Sequence, residues 1–325
     1  MTETLLQVQS LSKYFPIDQG LFWRASNQFV HAIDNISFDL TRGEVLGLVG
    51  ESGCGKSTLV LTLLGLEEAT AGQIIFEGQD ITHLKGAALK QLRRHMQMIF
   101  QDPFESLNPI MTIGDLVAEP LLVHGLEPNR TKRRDRVNQA LADAGLKPAE
   151  SFIDRRPHEL SGGQRQRVVI AGALILEPTL LLADEPVSML DVSIRAEILN
   201  LLSRLRKERG ISIIFITHDM STAAYFADRI AVMYLGRIVE IGPTRTVLTN
   251  PQHPYTQSLI SVIPVPNPRL RRERVILQGD PPNPINLPSG CRFHPRCPVA
   301  IDRCQQIDPP SVSVSNGHQA ACLLV

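Results

Sequence analysis

Val45-Leu-Gly-Leu-Val49-Gly50-Glu51-Ser52-Gly53-Cys54-Gly55-Lys56-Ser57-Thr58 is the stretch that decides the fold. Residues 45–49 form an apolar run closed by glycine, the pattern of a buried strand, and residues 56–66 carry the pattern of a helix. Between them, Gly50 to Ser57 fits G-x-x-x-x-G-K-[ST]. A strand before and a helix after is the context this motif needs to bind phosphate. The glycines let backbone N–H groups wrap phosphate oxygens, and the helix N-terminus adds partial positive charge. Lys56 is expected to reach the β- and γ-phosphates and Ser57 to ligate Mg2+. Gly50, Ser52, Gly53, Cys54, Gly55 and Thr58 are expected to complete the grip on the phosphates. The competing reading, a chance glycine-rich turn, explains neither flank.

Outward from this loop, strand and helix patterns alternate through the first 250 residues. Residues 179–183 and 211–217 read as buried strands. Residues 191–209 read as a helix with Ile194, Ile198, Leu201, Leu202 and Leu205 on one face. Buried strands joined by helices imply an α/β fold with a parallel sheet covered on both sides. Between about 95 and 178 the pattern turns helical, with helices expected over 113–124, 132–144 and 162–176. This is read as a helical subdomain inserted in the core. Residues 5–34 read as two strands separated by an insertion carrying Phe22 and Trp23. No tandem repeat is evident, so the chain carries one cassette.

Two further elements carry chemistry. Asp184 and Glu185 end the strand at 179–183, where a metal-binding carboxylate and a water-polarising one would sit in a phosphate-cleaving enzyme. The plainer reading is an acid pair capping the next segment. Ser161-Gly162-Gly163-Gln164 opens an apolar helix. Ser161 can cap it, and the exposed N–H groups suit an anion as well as an ordinary helix start.

Composition narrows the class. The chain has 325 residues, a 43% apolar share and a formal net charge of zero. That balance argues against nucleic acid as a partner, since such affinity leans on a basic excess. No leader sequence is expected from the first residues. No run reaches the roughly 18 apolar residues of a membrane span. A soluble, cytosolic chain is expected, with any membrane role coming through a partner.

Taken in order, these motifs resemble those of the ATP-binding subunits of ABC transporters, over residues 1 to about 250. Lys56 and Ser57 fall in the Walker A motif, Asp184 and Glu185 in Walker B, and Leu160 to Gln164 in the signature sequence. Gln101 falls at the Q-loop, Ser188-Met-Leu-Asp191 at the D-loop and His218 at the switch histidine. Tyr14 is the candidate for stacking on adenine. Val187 and Met189 depart from the commoner Thr and Ala, at positions that need not bond ATP. The resemblance implies a P-loop NTPase (RecA-like) core, an N-terminal antiparallel β subdomain and an inserted helical signature subdomain. It further implies two cassettes paired head to tail, each ATP lying between Walker A of one and Ser161, Gly162, Gly163 and Gln164 of the other. Glu185, His218 and Gln101 would be the catalytic residues, Ser57, Gln101 and Asp184 the Mg2+ site, and Asp191 a nucleotide contact. A lone histidine after a strand is otherwise most often structural. A soluble ABC ATPase acting on nucleic acid or ribosomes is the second reading, and an idle nucleotide-binding module the third.

The last part of the chain, 251–325, is read as a small, irregular extension punctuated by prolines, with a basic run over 269–274. Asn250-Pro-Gln-His253-Pro254-Tyr255 resembles the opening of the extra domain of oligopeptide and dipeptide importer ATPases, and residues 20–24 are similar to that subfamily too. This implies a peptide importer at the cytoplasmic face of a bacterial inner membrane. Its partners would be a second ATPase subunit (a sister chain or a second copy), two transmembrane permease subunits and an extracytoplasmic solute-binding protein. Cys291, Cys297, Cys304 and Cys322 follow C-x5-C-x6-C-x17-C. Four thiolates suit a [4Fe–4S] cluster or tetrahedral zinc. Free thiols or occasional disulfides are the remaining option, and the resemblance favours the cluster. Cys54 is either a small residue tolerated in the loop or a redox-sensitive thiol whose pKa is lowered by Lys56 and the helix N-terminus.

Overall fold

The computed structural model describes residues 3–17, 28–263 and 274–325. The insertion at 20–24, Pro264, Pro266, Pro268 and most of the basic run at 269–274 lie outside the described residues.

The N-terminal layer is an antiparallel sheet of order β2-β1-β4-β5. It contains β1 (Thr4–Pro16), β2 (Phe29–Thr41), β4 (Ala71–Phe76) and β5 (Gln79–Asp80). The main sheet is built on β3 (Val45–Val49), which lies between β9 (Arg229–Tyr234) and β8 (Ser212–Thr217) and is parallel to both. Next to β8 come β7 (Leu180–Asp184) and then β6 (Met96–Ile99), also parallel. On the far side β10 (Arg237–Pro243) runs antiparallel to β9.

The continuous apolar runs follow from burial on both faces. Leu181, Ala183, Ile213 and Phe215 point into one core, shared with the helices. Leu180, Leu182, Ile214 and Ile216 point into the other, shared with the N-terminal sheet and α1 (Lys56–Leu63). With a side-chain period of two, a strand buried twice over has no polar face to display.

Between the sheets lies α2 (Gly86–His95), and after β6 come α3 (Pro103–Ser106), α4 (Ile113–Val123), α5 (Arg130–Asp143), α6 (Glu150–Ile153) and α7 (Gly162–Leu174). Thr112 and Asn129 cap α4 and α5 through their side-chain oxygens, fixing both helix starts. Val117 and Leu121 of α4, Val137 and Leu141 of α5 and Ile170 of α7 share one core with Ile99 of β6 and Phe215 of β8. The helical segment is therefore fused to the main sheet through α7. Met96–Ile99 itself is a strand where the sequence reading began the helical insertion. A four-residue run is too short for its periodicity to separate strand from helix.

After β7 the chain forms α8 (Val192–Arg209), then α9 (Met220–Phe226) following β8, and α10 (Thr244–Thr249) following β10. The extension is more regular than its prolines imply. It forms α11 (Pro254–Ser261), β11 (Val312–Ser315) and β12 (His318–Ala320). β12 pairs with β10, through Glu240 with Ala320 and Ile241 with Gln319. A three-residue strand lasts here because it borrows a finished edge and needs no core of its own. Tyr255, Ile260 and Phe293 also bury against Ile230, Val232 and Tyr234 of β9.

Glu240 locks this junction. Its buried carboxylate accepts from the backbone N–H groups of Gln252 (2.8 Å) and His253 (2.9 Å) and meets Nε2 of His318 at 2.8 Å. His253 caps α11 by accepting the N–H of Tyr255. Burial pushes the His253 imidazole down to about 4, so it stays neutral while an unfolded chain takes up a proton near pH ~6.5. Stability present above that pH is lost as pH falls through the window from ~6.5 to ~4, by on the order of 3 kcal/mol. The melting temperature should drop across this window. His253→Asn, which keeps a capping acceptor, should flatten the drop, and an identical drop in that variant would count against this account.

Candidate active site

The phosphate loop turns from the end of β3 into α1 under tight confinement. A Cβ on Gly50 would fall 2.3 Å from the Met233 carbonyl oxygen, and one on Gly55 2.0 Å from that of Ala32. Gly55 also has φ +102° and stands at the N-cap of α1, so no other residue fits there without strain. Buried Lys56 arches back over the loop. Its Nζ donates to the carbonyls of Gly50 (2.8 Å) and Glu51 (2.9 Å). Ser52, Gly53 and Cys54 make the bend of the same loop, and Ser57 and Thr58 follow Lys56 in the first turn of α1.

Asp184 arrives at the end of β7, buried, with Oδ1 lacking any hydrogen-bond partner. Burial raises its pKa; a hydrogen bond from Ser57 and the charge of Lys56 oppose the rise, and the charge of Glu185 adds to it. An orphaned, buried carboxylate oxygen beside a serine hydroxyl suits a hard cation that takes oxygen ligands. The residues thus fit Mg2+.

Glu185, one residue on, has φ +44°, a costly conformation for a side-chain-bearing residue that surrounding structure must enforce. Its N–H donates to the Ile216 carbonyl at 3.1 Å, tying it to the end of β8. Its carboxylate accepts from Nε2 of Gln101 at 3.2 Å and meets Nδ1 of His218 at 3.0 Å. Gln101 follows β6, Glu185 follows β7 and His218 follows β8, so three strand ends bring two side chains to one carboxylate. Ligands of α/β sheets bind at such strand ends.

Ser161 caps α7 in a reciprocal arrangement with Gln164. The Ser161 hydroxyl accepts the Gln164 N–H at 3.3 Å, and the Ser161 N–H donates to Gln164 Oε1 at 3.0 Å. Gly163 is pressed against α8: a Cβ there would fall 2.7 Å from Ile194 Cγ2, and one on Gly162 would touch Leu190. Asp191, at the N-cap of α8, follows a turn in which Ser188 donates back to the Glu185 carbonyl. Among the described residues, no hydrogen bond or ion pair joins residues 161–164 to the phosphate loop.

Tyr14 pairs in register with His31 of β2, whose neighbour Ala32 touches Gly55. Its ring tilts against His31 at 4.5 Å, and its hydroxyl donates to Asp34 at 2.6 Å.

Cys54 is 5% exposed, and burial pushes its thiol up despite the opposing charge of Lys56. The lowered pKa expected of a redox-sensitive thiol is absent, because desolvation outweighs the nearby cation. The four tail cysteines are all free. Cys291 is pushed up to about 11, mainly by burial, with the charges of Cys304, Cys322 and Cys297 adding to the rise and a backbone hydrogen bond from Phe293 opposing it. The Cys291 N–H also donates to the Cys304 carbonyl at 2.8 Å. Even so, among the described residues no three His, Cys, Asp or Glu side chains come together closely enough to hold a metal ion.

The sequence reading missed one set of contacts. The Glu51 N–H donates to the Tyr255 hydroxyl at 2.9 Å, and Nη1 of Arg296 contacts both Glu51 carboxylate oxygens, at 2.9 and 3.2 Å. The extension therefore touches the phosphate loop directly. His-Pro-Tyr at 253–255 was the only local signal of it.

The family model described as ABC transporter matches residues 33–188, and that described as oligopeptide/dipeptide transporter, C-terminal region, matches residues 239–304. The oligopeptide transport ATP-binding protein AppF of Bacillus subtilis is 48% identical over 325 residues, covering 99% of this chain and 98% of AppF. OppF of Haemophilus influenzae, with the same description, is 46% identical over 327 residues, covering 99% and 98%. Among solved structures, the dimeric ATP-binding cassette MJ0796 bound to ADP and Pi superposes with a TM-score of 0.65 at 29% identity, covering 74% of this chain and 99% of that one. Among the described residues no helix is long and apolar enough to cross a membrane.

Site-resolved mass spectrometry after a short iodoacetamide pulse should find Cys54 alkylated far more slowly than an exposed model thiol at the same pH. Rapid labelling of the folded chain would contradict its burial.

Proposed function

The chain belongs to the ATP-binding subunits of ABC transporters that carry the oligopeptide/dipeptide C-terminal region, and from that premise we propose that its ATP hydrolysis drives import of peptides across the bacterial cytoplasmic membrane. The observation that carries the catalytic part is the Glu185 carboxylate held between Gln101 and His218, next to the unpartnered oxygen of Asp184.

In this reading the N–H groups of the Gly50–Thr58 loop and the Lys56 ammonium bind the phosphates. Tyr14 stacks on adenine. Ser57, Asp184 and Gln101 would hold Mg2+, which when bound would supply positive charge to offset that of the phosphates. Glu185 accepts a proton from the attacking water, and His218 and Gln101 orient its carboxylate. Ser161, Gly162, Gly163, Gln164 and Asp191 serve a nucleotide held by a second ATPase subunit. The reciprocal capping of Ser161 and Gln164 supports this, since it fixes a helix N-terminus that, among the described residues, makes no hydrogen bond or ion pair with the chain's own loop. Two permease subunits and an extracytoplasmic solute-binding protein complete the machine, with this chain on the cytoplasmic face. The division into a cassette to about 250 and an extension over 251–325 belongs to the same proposal.

At Cys291, Cys297, Cys304 and Cys322 we propose a [4Fe–4S] cluster, with zinc as the alternative. Support comes from four free thiols within electrostatic reach of one another. A bound centre would cross-link four points of a proline-rich tail, a structural role. Anaerobically purified protein should contain about four irons per chain, as a [4Fe–4S] assignment requires, and absorb visible light. Zinc without iron would select the alternative, and neither metal would refute both.

Glu185→Gln should bind ATP, hydrolyse it ~10²–10⁴-fold more slowly, and accumulate as an ATP-bound dimer in size-exclusion chromatography. Normal turnover by that variant would remove Glu185 from its role.

A further inference from the structure

Glu51 places a carboxylate inside the loop that cradles phosphate, where its charge opposes that of the ligand. The extension answers this charge. Arg296 sets Nη1 2.9 and 3.2 Å from the two Glu51 oxygens, with the arginine side chain 8% exposed and the glutamate 29% exposed. The Arg296 guanidinium lies 5.9 Å from the Tyr234 ring centroid. Tyr234 in turn packs with Tyr255 and Phe293 at 4.8 and 5.2 Å. Tyr255 is the residue whose hydroxyl accepts the Glu51 N–H. Arg292, four residues earlier, donates to the Leu235 carbonyl and to Asp34, fixing the same turn to the core. The arginine is thus buried, stacked and aimed, with one acidic partner.

We propose that Arg296 is a positioning residue for ATP. By neutralising Glu51 and drawing its carboxylate away from the loop, Arg296 sets the affinity of the Walker A site, so the extension tunes nucleotide binding from 245 positions away in sequence. This rests on the assignment of ATP to the Gly50–Thr58 loop. The sign is fixed by electrostatics. Removing Arg296 leaves a bare negative charge beside the phosphates and weakens ATP, whereas removing Glu51 leaves a bare positive charge and strengthens it.

The test is ATP affinity of the full chain, measured with a fluorescent nucleotide, together with the KM and kcat of hydrolysis by the assembled transporter. Arg296→Gln should raise Kd and KM roughly tenfold, the scale of one charge across a partly screened site, with kcat little changed. Arg296→Lys should keep most of the affinity. The double variant Glu51→Gln/Arg296→Gln should return to within about twofold of the parent chain. If Arg296 serves packing alone, the double variant stays as weak as Arg296→Gln, and the proposal is overturned. Where Arg296→Gln does not fold, Glu51→Gln alone decides: it should bind ATP about threefold more tightly, and unchanged or weaker binding overturns the proposal. Failure of the underlying assignment shows separately, as undiminished ATP binding by Lys56→Ala.

Discussion

The Gly55 Cα sits against the Ala32 carbonyl of β2, and the Gly50 Cα against the Met233 carbonyl of β9. The phosphate loop is therefore clamped between two strands from different sheets, and much of the molecule exists to hold that clamp. β9 is fixed by its parallel pairing with β3, and β2 by its long antiparallel pairing with β1. One core holds Ile33 and Ile36 of β2 together with Ala231 and Met233 of β9, and another, shared with the extension, holds Ile230, Val232 and Tyr234 on the other face of β9. A loop confined this closely presents its N–H groups in one geometry, which is what binding a polyphosphate through backbone requires.

The chemistry beyond the loop depends on contrast between adjacent carboxylates. Asp184 points inward, buried and lacking a partner for one oxygen, while Glu185 points to a cleft where Gln101 and His218 meet it. The alternation of a strand would send neighbouring side chains to opposite faces. The positive φ of Glu185, the residue just past β7, departs from that alternation, and its carboxylate meets Gln101 and His218. Backbone strain here buys a geometry that regular structure cannot give.

How much of this was legible in sequence differs by element. Val45–Val49 and Leu180–Asp184 were readable as strands because burial on both faces leaves an uninterrupted apolar run. Gly50 to Ser57 was readable because backbone binding of phosphate forces glycines at fixed offsets. Gln101 carries no local signal and was reached through the order of motifs along the chain, whereas His218 also stood at the carboxyl end of an apolar strand, where ligands of α/β sheets bind. Met96–Ile99 was missed because four residues hold too little periodicity. The tail strands were missed because His318–Ala320 is stabilised by an edge that lies far away in sequence. Cys54 was half legible: the nearby lysine was visible, but the burial that outweighs it was not. The grip of Arg296 on Glu51 depends wholly on the tertiary fold.

Glu240 gives the junction with the extension a further meaning. Its carboxylate is fully buried in β10, yet its donors, the N–H groups of residues 252 and 253 and the ring of His318, all come from beyond the cassette. A chain ending near residue 250 would keep this charge in the interior with nothing to bond it, a cost of several kcal/mol. Freeing β10 of its extension would therefore require replacing the acid at 240 as well.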